Sequence, residues 1–262
     1  MSFLIIPDVH GRDFWKEPCS NITEYDKVIF LGDYLDSYDF DGIGKNQELD
    51  NFKEILELSN NNPGKVVLLI GNHDLHYIDK NSRVVASRFC MDMFEKYYKL
   101  FTDNIDKFKV IYRTGKYIFT HAGILKNWMD ENGLNDIGKF NKDLLDFSKF
   151  GPFHRNPLED ISYRRGGNYD SGSCIWADVR EHYISLEGSH NFSELQEKGI
   201  PEENIPDYYQ IFGHTQLIDS FNGDEPVYSG PLINKYFACL DCKKAFVLNN
   251  EEKLIEYDKY KN

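Results

Sequence analysis

Phe3-Leu4-Ile5-Ile6-Pro7-Asp8-Val9-His10-Gly11 is a short apolar run that stops abruptly in a polar turn. Four consecutive apolar residues have the length and branching of a buried β-strand rather than a helix. Asp8 and His10 follow it, one residue apart. In an extended segment alternate side chains point the same way, so both reach toward one point.

The same arrangement recurs along the chain. Val28 to Leu31 ends in Gly32-Asp33, and Val66 to Ile70 ends in Gly71-Asn72-His73-Asp74. Lys116 to Thr120 leads to His121-Ala122-Gly123, and Tyr209 to Phe212 leads to Gly213-His214-Thr215. Between the early strands, Leu49, Phe52, Leu56 and Ser59 keep helical spacing until Asn60 to Gly64 stops it. Val85, Phe89, Met93, Tyr97 and Phe101 form a second stripe, read as one long core-facing helix. Strands alternating with helices indicate an α/β sheet whose sites gather at the carboxyl ends of the strands. Near the C-terminus Val227-Tyr228, Tyr236 to Leu240, Ala245 to Leu248 and Leu254 to Tyr257 read as consecutive strands, predicting a second sheet packed on the first.

Residues 124–208 are less regular. Asn127 to Glu131 and Asn141 to Phe150 are helical candidates, followed by a Gly-rich stretch from Arg165 to Gly172. With no repeat or linker-like composition, the chain reads as one domain over residues 1–262 with a cap-like insertion at about 124–208. That insertion is the expected substrate-recognition element. Its aromatic residues Trp128, Phe150, Phe153, Tyr163, Tyr169 and Trp176 are read as packing.

Composition narrows the function. The 262 residues carry a net charge of −13, a surface that on average repels the phosphates of nucleic acid. No apolar run approaches the roughly eighteen residues of a membrane span, and the N-terminus has no basic region of a signal peptide, so a cytoplasmic protein is expected. Five cysteines, an odd number spread along the chain, read as reduced thiols. Cys239 and Cys242 are a lone pair, short of the four ligands of a structural zinc site.

The five turns supply Asp8, His10, Asp33, Asn72, His121 and His214. Carboxylate, imidazole and amide oxygen together suit two hard-to-borderline cations, with Asp33 as the bridging carboxylate and His121 and His214 completing the second ion. His76, His154, His182 and His190 have no such context and read as surface or packing residues.

Asp8-Val9-His10-Gly11, Gly32-Asp33-Tyr34-Leu35-Asp36, Gly71-Asn72-His73-Asp74, His121-Ala122-Gly123 and Gly213-His214-Thr215 resemble the successive signature blocks of the calcineurin-like metallophosphoesterases. They are most similar to the phosphoprotein phosphatase branch, which includes bacterial and phage serine/threonine phosphatases and symmetrical diadenosine tetraphosphatases. The resemblance implies a four-layer αββα sandwich with mixed sheets and two metal ions, commonly manganese, iron or zinc. It implies hydrolysis of a phosphate monoester, on a phosphoprotein or a small molecule, by a metal-held hydroxide. His73 corresponds to the family's catalytic histidine, with Asp36 orienting its imidazole. Asp241 is expected close behind the ligands. Asp36 is followed here by Ser37-Tyr38, where this branch usually has Arg-Gly, so a phosphate-gripping arginine is missing. Arg165, or its neighbour Arg164, ahead of Trp176, is the expected substitute, and Arg180 reads as a solvated surface residue. The alternatives are a nucleotide hydrolase acting on dinucleoside polyphosphates or cyclic nucleotides, and a non-catalytic binding scaffold.

Overall fold

The computed structural model describes residues 1–82, 86–133, 136–150, 154–183, 207–223 and 225–261. Val85, Phe153 and His190, named above, lie outside them. The chain divides into two compact units: Met1–Lys80, Val85–Lys109 and Lys243–Asn262 form one, and Asn81–Val84 and Val110–Cys242 the other.

The elements of the first unit are strands β1 (Phe3–Ile6), β2 (Lys27–Phe30), β3 (Val66–Leu69) and β4 (Phe108–Lys109), and helices α1 (Lys16–Cys19), α2 (Lys45–Asn61), α3 (Asn72–Ile78) and α4 (Phe94–Asp103). The four strands run parallel, with Leu4 opposite Val28 and Ile29 opposite Val67. β1 and β3 are wholly buried, as the unbroken apolar runs require of parallel strands covered on both faces. Aromatic packing fixes α2 and α4: Phe52 stacks on Tyr34 at 5.0 Å between centroids and meets Phe101 at 4.8 Å. Because the strands are parallel, their carboxyl ends lie along one edge, and the turns after β1, β2 and β3 meet there.

The second unit holds β5 (Tyr112–Thr114), β6 (Tyr117–Phe119), β7 (Tyr209–Phe212), β8 (Ile218–Asn222), β9 (Glu225–Tyr228), β10 (Leu232–Ile233) and β11 (Phe237–Cys239), with helices α5 (Lys126–Glu131) and α6 (Ile137–Leu144). Its five-stranded sheet runs β10-β11-β7-β6-β5, and β8 and β9 form a separate ribbon. β6, β7 and β11 are parallel, which again sets the turns after β6 and β7 side by side.

Three readings of the sequence are corrected. The C-terminal strands do not make one second sheet. β11 joins β7, whereas β12 (Phe246–Leu248) pairs antiparallel with β1 and carries β13 (Leu254–Glu256), extending the first sheet. Local pattern identifies such strands but not their partners, which are set by pairing distant in sequence. The stripe from residue 85 to 101 is likewise not one helix. Arg88 takes a left-handed φ of 65° that no helix accommodates, and α4 begins only at Phe94, after a short 3-10 turn at Met91–Met93. Phe89 instead stacks on Tyr77. The helix expected over Asn141 to Phe150 is α6, which ends at Leu144. Two mixed sheets and their helices make this a mixed α/β protein, the class read from the sequence.

Candidate metal centre

In the first unit Asp8, His10 and Asp33 are all buried, and one ligand atom of each lies within 4.8 Å of the others. The turns that carry them are tied through the backbone. His10 N–H donates to the Asp33 carbonyl at 2.7 Å, and Gly11 N–H to that of Tyr34 at 2.9 Å. Asn72 is buried as the first residue of α3, directly after Gly71. His73 N–H donates to Asp33 Oδ1 at 2.9 Å, aiming that carboxylate.

The linchpin of these turns is Asp74, which the sequence reading quoted without assigning it a role. Its carboxylate accepts from the backbone N–H groups of Gly71, Asp33 and Tyr34 at 2.8, 2.8 and 3.0 Å. Burial pushes the carboxyl up to about 7, against three donors that favour its charged form.

Asp36 organises a second cluster. Its Oδ2 lies 2.9 Å from His73 Nδ1 and 3.0 Å from His76 Nε2, and its Oδ1 accepts from the Tyr77 hydroxyl at 2.7 Å. Ala86 N–H donates to His76 Nδ1, which fixes the tautomer with the proton on Nε2, facing Asp36. His76 is therefore a buried part of this cluster rather than a simple packing residue. Burial alone would raise the Asp36 carboxyl, but the bonds from His73 and then His76 hold it below the usual carboxylate range. Burial pulls the His73 imidazole down to about 4, with Asp36 opposing the shift and Arg88 adding to it. The Nδ1–H therefore belongs to Asp36, and Nε2 is the edge left for other chemistry.

In the second unit Gly213 N–H donates to the His121 carbonyl at 2.7 Å, and His121 Nε2 lies 3.2 Å from His214 Nδ1. Arg165 joins this neighbourhood: its Nη2 donates to the Thr215 hydroxyl at 2.9 Å, and its Nε lies 3.0 Å from buried Asp178. Arg164 is exposed. Arg180 is not a solvated surface residue. It is half-buried and grips Asp178 with two bonds of 2.6 Å. Asp241 is buried just beyond β11.

The donor atoms fit metal ions. His10 Nδ1–H donates to the Leu35 carbonyl at 2.8 Å, leaving the Nε2 lone pair toward Asp33 Oδ2, 3.4 Å away. Burial first, then the neighbouring charges of His73, Arg12 and Arg88, keep His10 far below its ordinary value and so neutral. Two buried lone pairs facing one another repel unless a cation sits between them. Two atoms bound to one ion at about 2.0–2.1 Å stand roughly 3.0–3.4 Å apart, and both this pair and the His121–His214 pair meet that spacing. Backbone strain marks the same residues. Seven described non-glycine residues have positive φ; His10, Asp33, Asp36, Arg88 and His214 are five of them, beside Lys243 and Glu252.

The family model for calcineurin-like phosphoesterases matches residues 1–217. The chain belongs to this family. The phosphoesterase is thus a metal-dependent hydrolase of phosphate esters. Among curated protein sequences none matches it. Solved structures do. A cold-active protein tyrosine phosphatase shares 16% identity over 97% of this chain and 75% of its own, with a TM-score of 0.57. The cold-active protein-tyrosine phosphatase of a psychrophilic Shewanella species shares 15% over 97% and 77%, with a TM-score of 0.53. A protein serine/threonine phosphatase from Saccharomyces cerevisiae shares 11% over 98% and 78%, at 0.50. At these identities the likeness is one of fold. All five cysteines are free thiols, as expected. No helix among the described residues is long and apolar enough to cross a membrane.

Proposed function

We propose that this phosphoesterase is a dinuclear enzyme hydrolysing phosphate monoesters, on a phosphoprotein or a small molecule, in the cytoplasm. The observation that carries this reading is the opposed lone-pair geometry of His10 and Asp33 within hydrogen-bonding distance of the backbone that leads into His73. Asp8, His10 and Asp33 would hold one ion, and Asp33 with Asn72, His121 and His214 would hold a second. The mixed carboxylate, imidazole and amide set suits manganese, with iron or zinc as alternatives. When bound, such ions supply Lewis-acid charge and lower the pKa of a coordinated water from 15.7 to about 7.

The protein's own part is positioning and proton transfer. Asp36 fixes the His73 ring through Nδ1, so that Nε2 serves the leaving oxygen. A phosphate dianion arriving beside that nitrogen opposes the lowering imposed by burial, so the imidazole gains its proton along with the substrate. His73 returns that proton to the oxygen that departs from phosphorus. Arg165, held by Asp178 and Thr215, is the phosphate contact contributed by the insertion at about 124–208.

The test is hydrolysis of p-nitrophenyl phosphate by metal-stripped protein, with and without added manganese. Turnover that returns with the metal supports the reading. A fully metallated protein that leaves the ester intact rules out a general phosphomonoesterase.

A further inference from the structure

We infer that Arg88 grips the phosphoryl group of the substrate beside His73; this inference rests on the phosphoesterase reading just given. Arg88 belongs to no strand-end motif, and four observations single it out. Its guanidinium Nη2 lies 3.4 Å from His73 Nε2, the edge of the imidazole that Asp36 leaves for chemistry. A phosphate oxygen that hydrogen-bonds to Nε2 therefore also comes within reach of Nη2.

The guanidinium is held in place from two other sides. Nε donates to the Asp36 carbonyl at 2.8 Å, and the group lies over the face of Tyr38, 3.6 Å from the ring centroid. Tyr38 in turn meets His10 edge-on at 5.0 Å. The Ser37-Tyr38 sequence thus does two things. It removes an arginine from the position after Asp36, and it builds the platform on which Arg88 rests.

The charge of Arg88 is also available. Arg12 is paired with Asp41, and Arg180 with Asp178. The hydrogen bonds of Arg88 go instead to a backbone carbonyl, to the Ser87 hydroxyl at 3.0 Å and to His73, and no described carboxylate is paired with it. An uncompensated guanidinium at a half-buried position is a ready partner for an anion, and its planar fork suits phosphate. Finally, Arg88 holds a left-handed φ of 65°, as do His10, Asp33 and Asp36 around it, at 45° to 59°. That strain breaks the helical stripe and turns the side chain back onto Asp36.

Two measurements on metal-loaded protein decide the matter, with inorganic phosphate as the probe. In the first, wild-type protein is treated with phenylglyoxal and Arg88 modification is read by peptide mass. Phosphate should slow that modification at least tenfold; equal rates with and without phosphate would overturn the inference without any variant having to fold. In the second, phosphate affinity is measured by calorimetry for Arg88→Gln and Arg88→Lys, with metal content determined alongside. The glutamine variant should keep its metal and bind phosphate at least tenfold more weakly, with the lysine variant in between. Wild-type affinity in Arg88→Gln overturns the role of Arg88 and leaves the phosphoesterase reading standing. Loss of metal from Arg88→Gln makes Arg88 a support of the ligands and equally overturns it. Metal-loaded wild-type protein that binds no phosphate removes the underlying reading, and the inference with it.

Discussion

A single methyl group at Gly71 should empty the metal centre. The backbone there is extended, with φ −104° and ψ 177°, so alanine meets no conformational penalty and the effect is purely steric. A Cβ at this position would stand 2.0 Å from Asp33 Oδ1, 2.8 Å from Asp33 Cγ and 2.5 Å from the Asp33 backbone nitrogen, where ordinary contact begins at 3.4 Å. A rotamer change cannot relieve a clash with backbone. Asp33 is also anchored on both sides, its N–H on Asp74 and its carbonyl on His10 N–H. Overpacking of this kind costs about 1–3 kcal/mol, and a broken hydrogen bond to the buried Asp74 carboxylate adds about 1–3 kcal/mol. At roughly 2–4 °C per kcal/mol for a chain of this size, Gly71→Ala should melt about 10 °C lower. Metal–ligand distances tolerate only about 0.2 Å, so a carboxylate displaced by more than that loses its ion. Metal content after dialysis should fall to background, together with turnover. Gly64→Ala is the control: φ is +74° with nothing within 4 Å, so it carries only left-handed strain of about 1–2 kcal/mol and keeps its metal. Wild-type melting and metal content in Gly71→Ala would refute the placement of Asp33.

Three further outcomes are expected. His182 is fully buried against Phe212 and Phe237 with no hydrogen bond to either ring nitrogen, and burial lowers it to about 4. The folded state therefore binds fewer protons than the unfolded chain below pH 6.5. Stability should fall by about 1.4 kcal/mol per pH unit between pH 6.5 and pH 4, and urea denaturation of His182→Leu should show that slope reduced. For Asp178, burial would raise the carboxyl, but the Arg180 bond and the charges of Arg165 and Arg180 hold it below the ordinary value. Its stabilisation is present above about pH 4 and lost as pH falls through the lower folded value. Asp178→Asn should therefore cost roughly 3–5 kcal/mol at neutral pH, as for breaking a buried ion pair, with the gap to wild type closing in acid. Phe52→Ala, at the centre of the aromatic cluster with Tyr34 and Phe101, should cost about 3–5 kcal/mol in the same denaturation assay while leaving the metal content unchanged.

The strand ends were legible because burial and chemistry leave separate marks there. An unbroken apolar run identifies a strand covered on both faces, and a metal-capable residue beside glycine has no packing reason to follow it so regularly. Asp8, His10 and Asp33 were found this way and lie together in the first unit; His121 and His214 were found the same way and lie together in the second. Arg88, His76 and Asp74 carry no such mark. Arg88 sits in a periodic apolar stripe, and only its left-handed backbone turns it toward Asp36. His76 is one helical turn from His73, a spacing that hints at a shared partner, but the partner lies 40 residues back in the chain. Asp74 acts on backbone N–H groups, which sequence does not display. The C-terminal strands show the same boundary, since their pattern identifies β12 as a strand but not its place beside β1.

The most direct test of two ions at this centre is a manganese titration of the chelator-treated protein, with bound metal and p-nitrophenyl phosphate turnover read on the same samples. Turnover should be absent without metal and rise to its maximum as occupancy approaches two ions per chain. Full turnover at one ion per chain, or turnover in the metal-free protein, would contradict a dinuclear phosphoesterase.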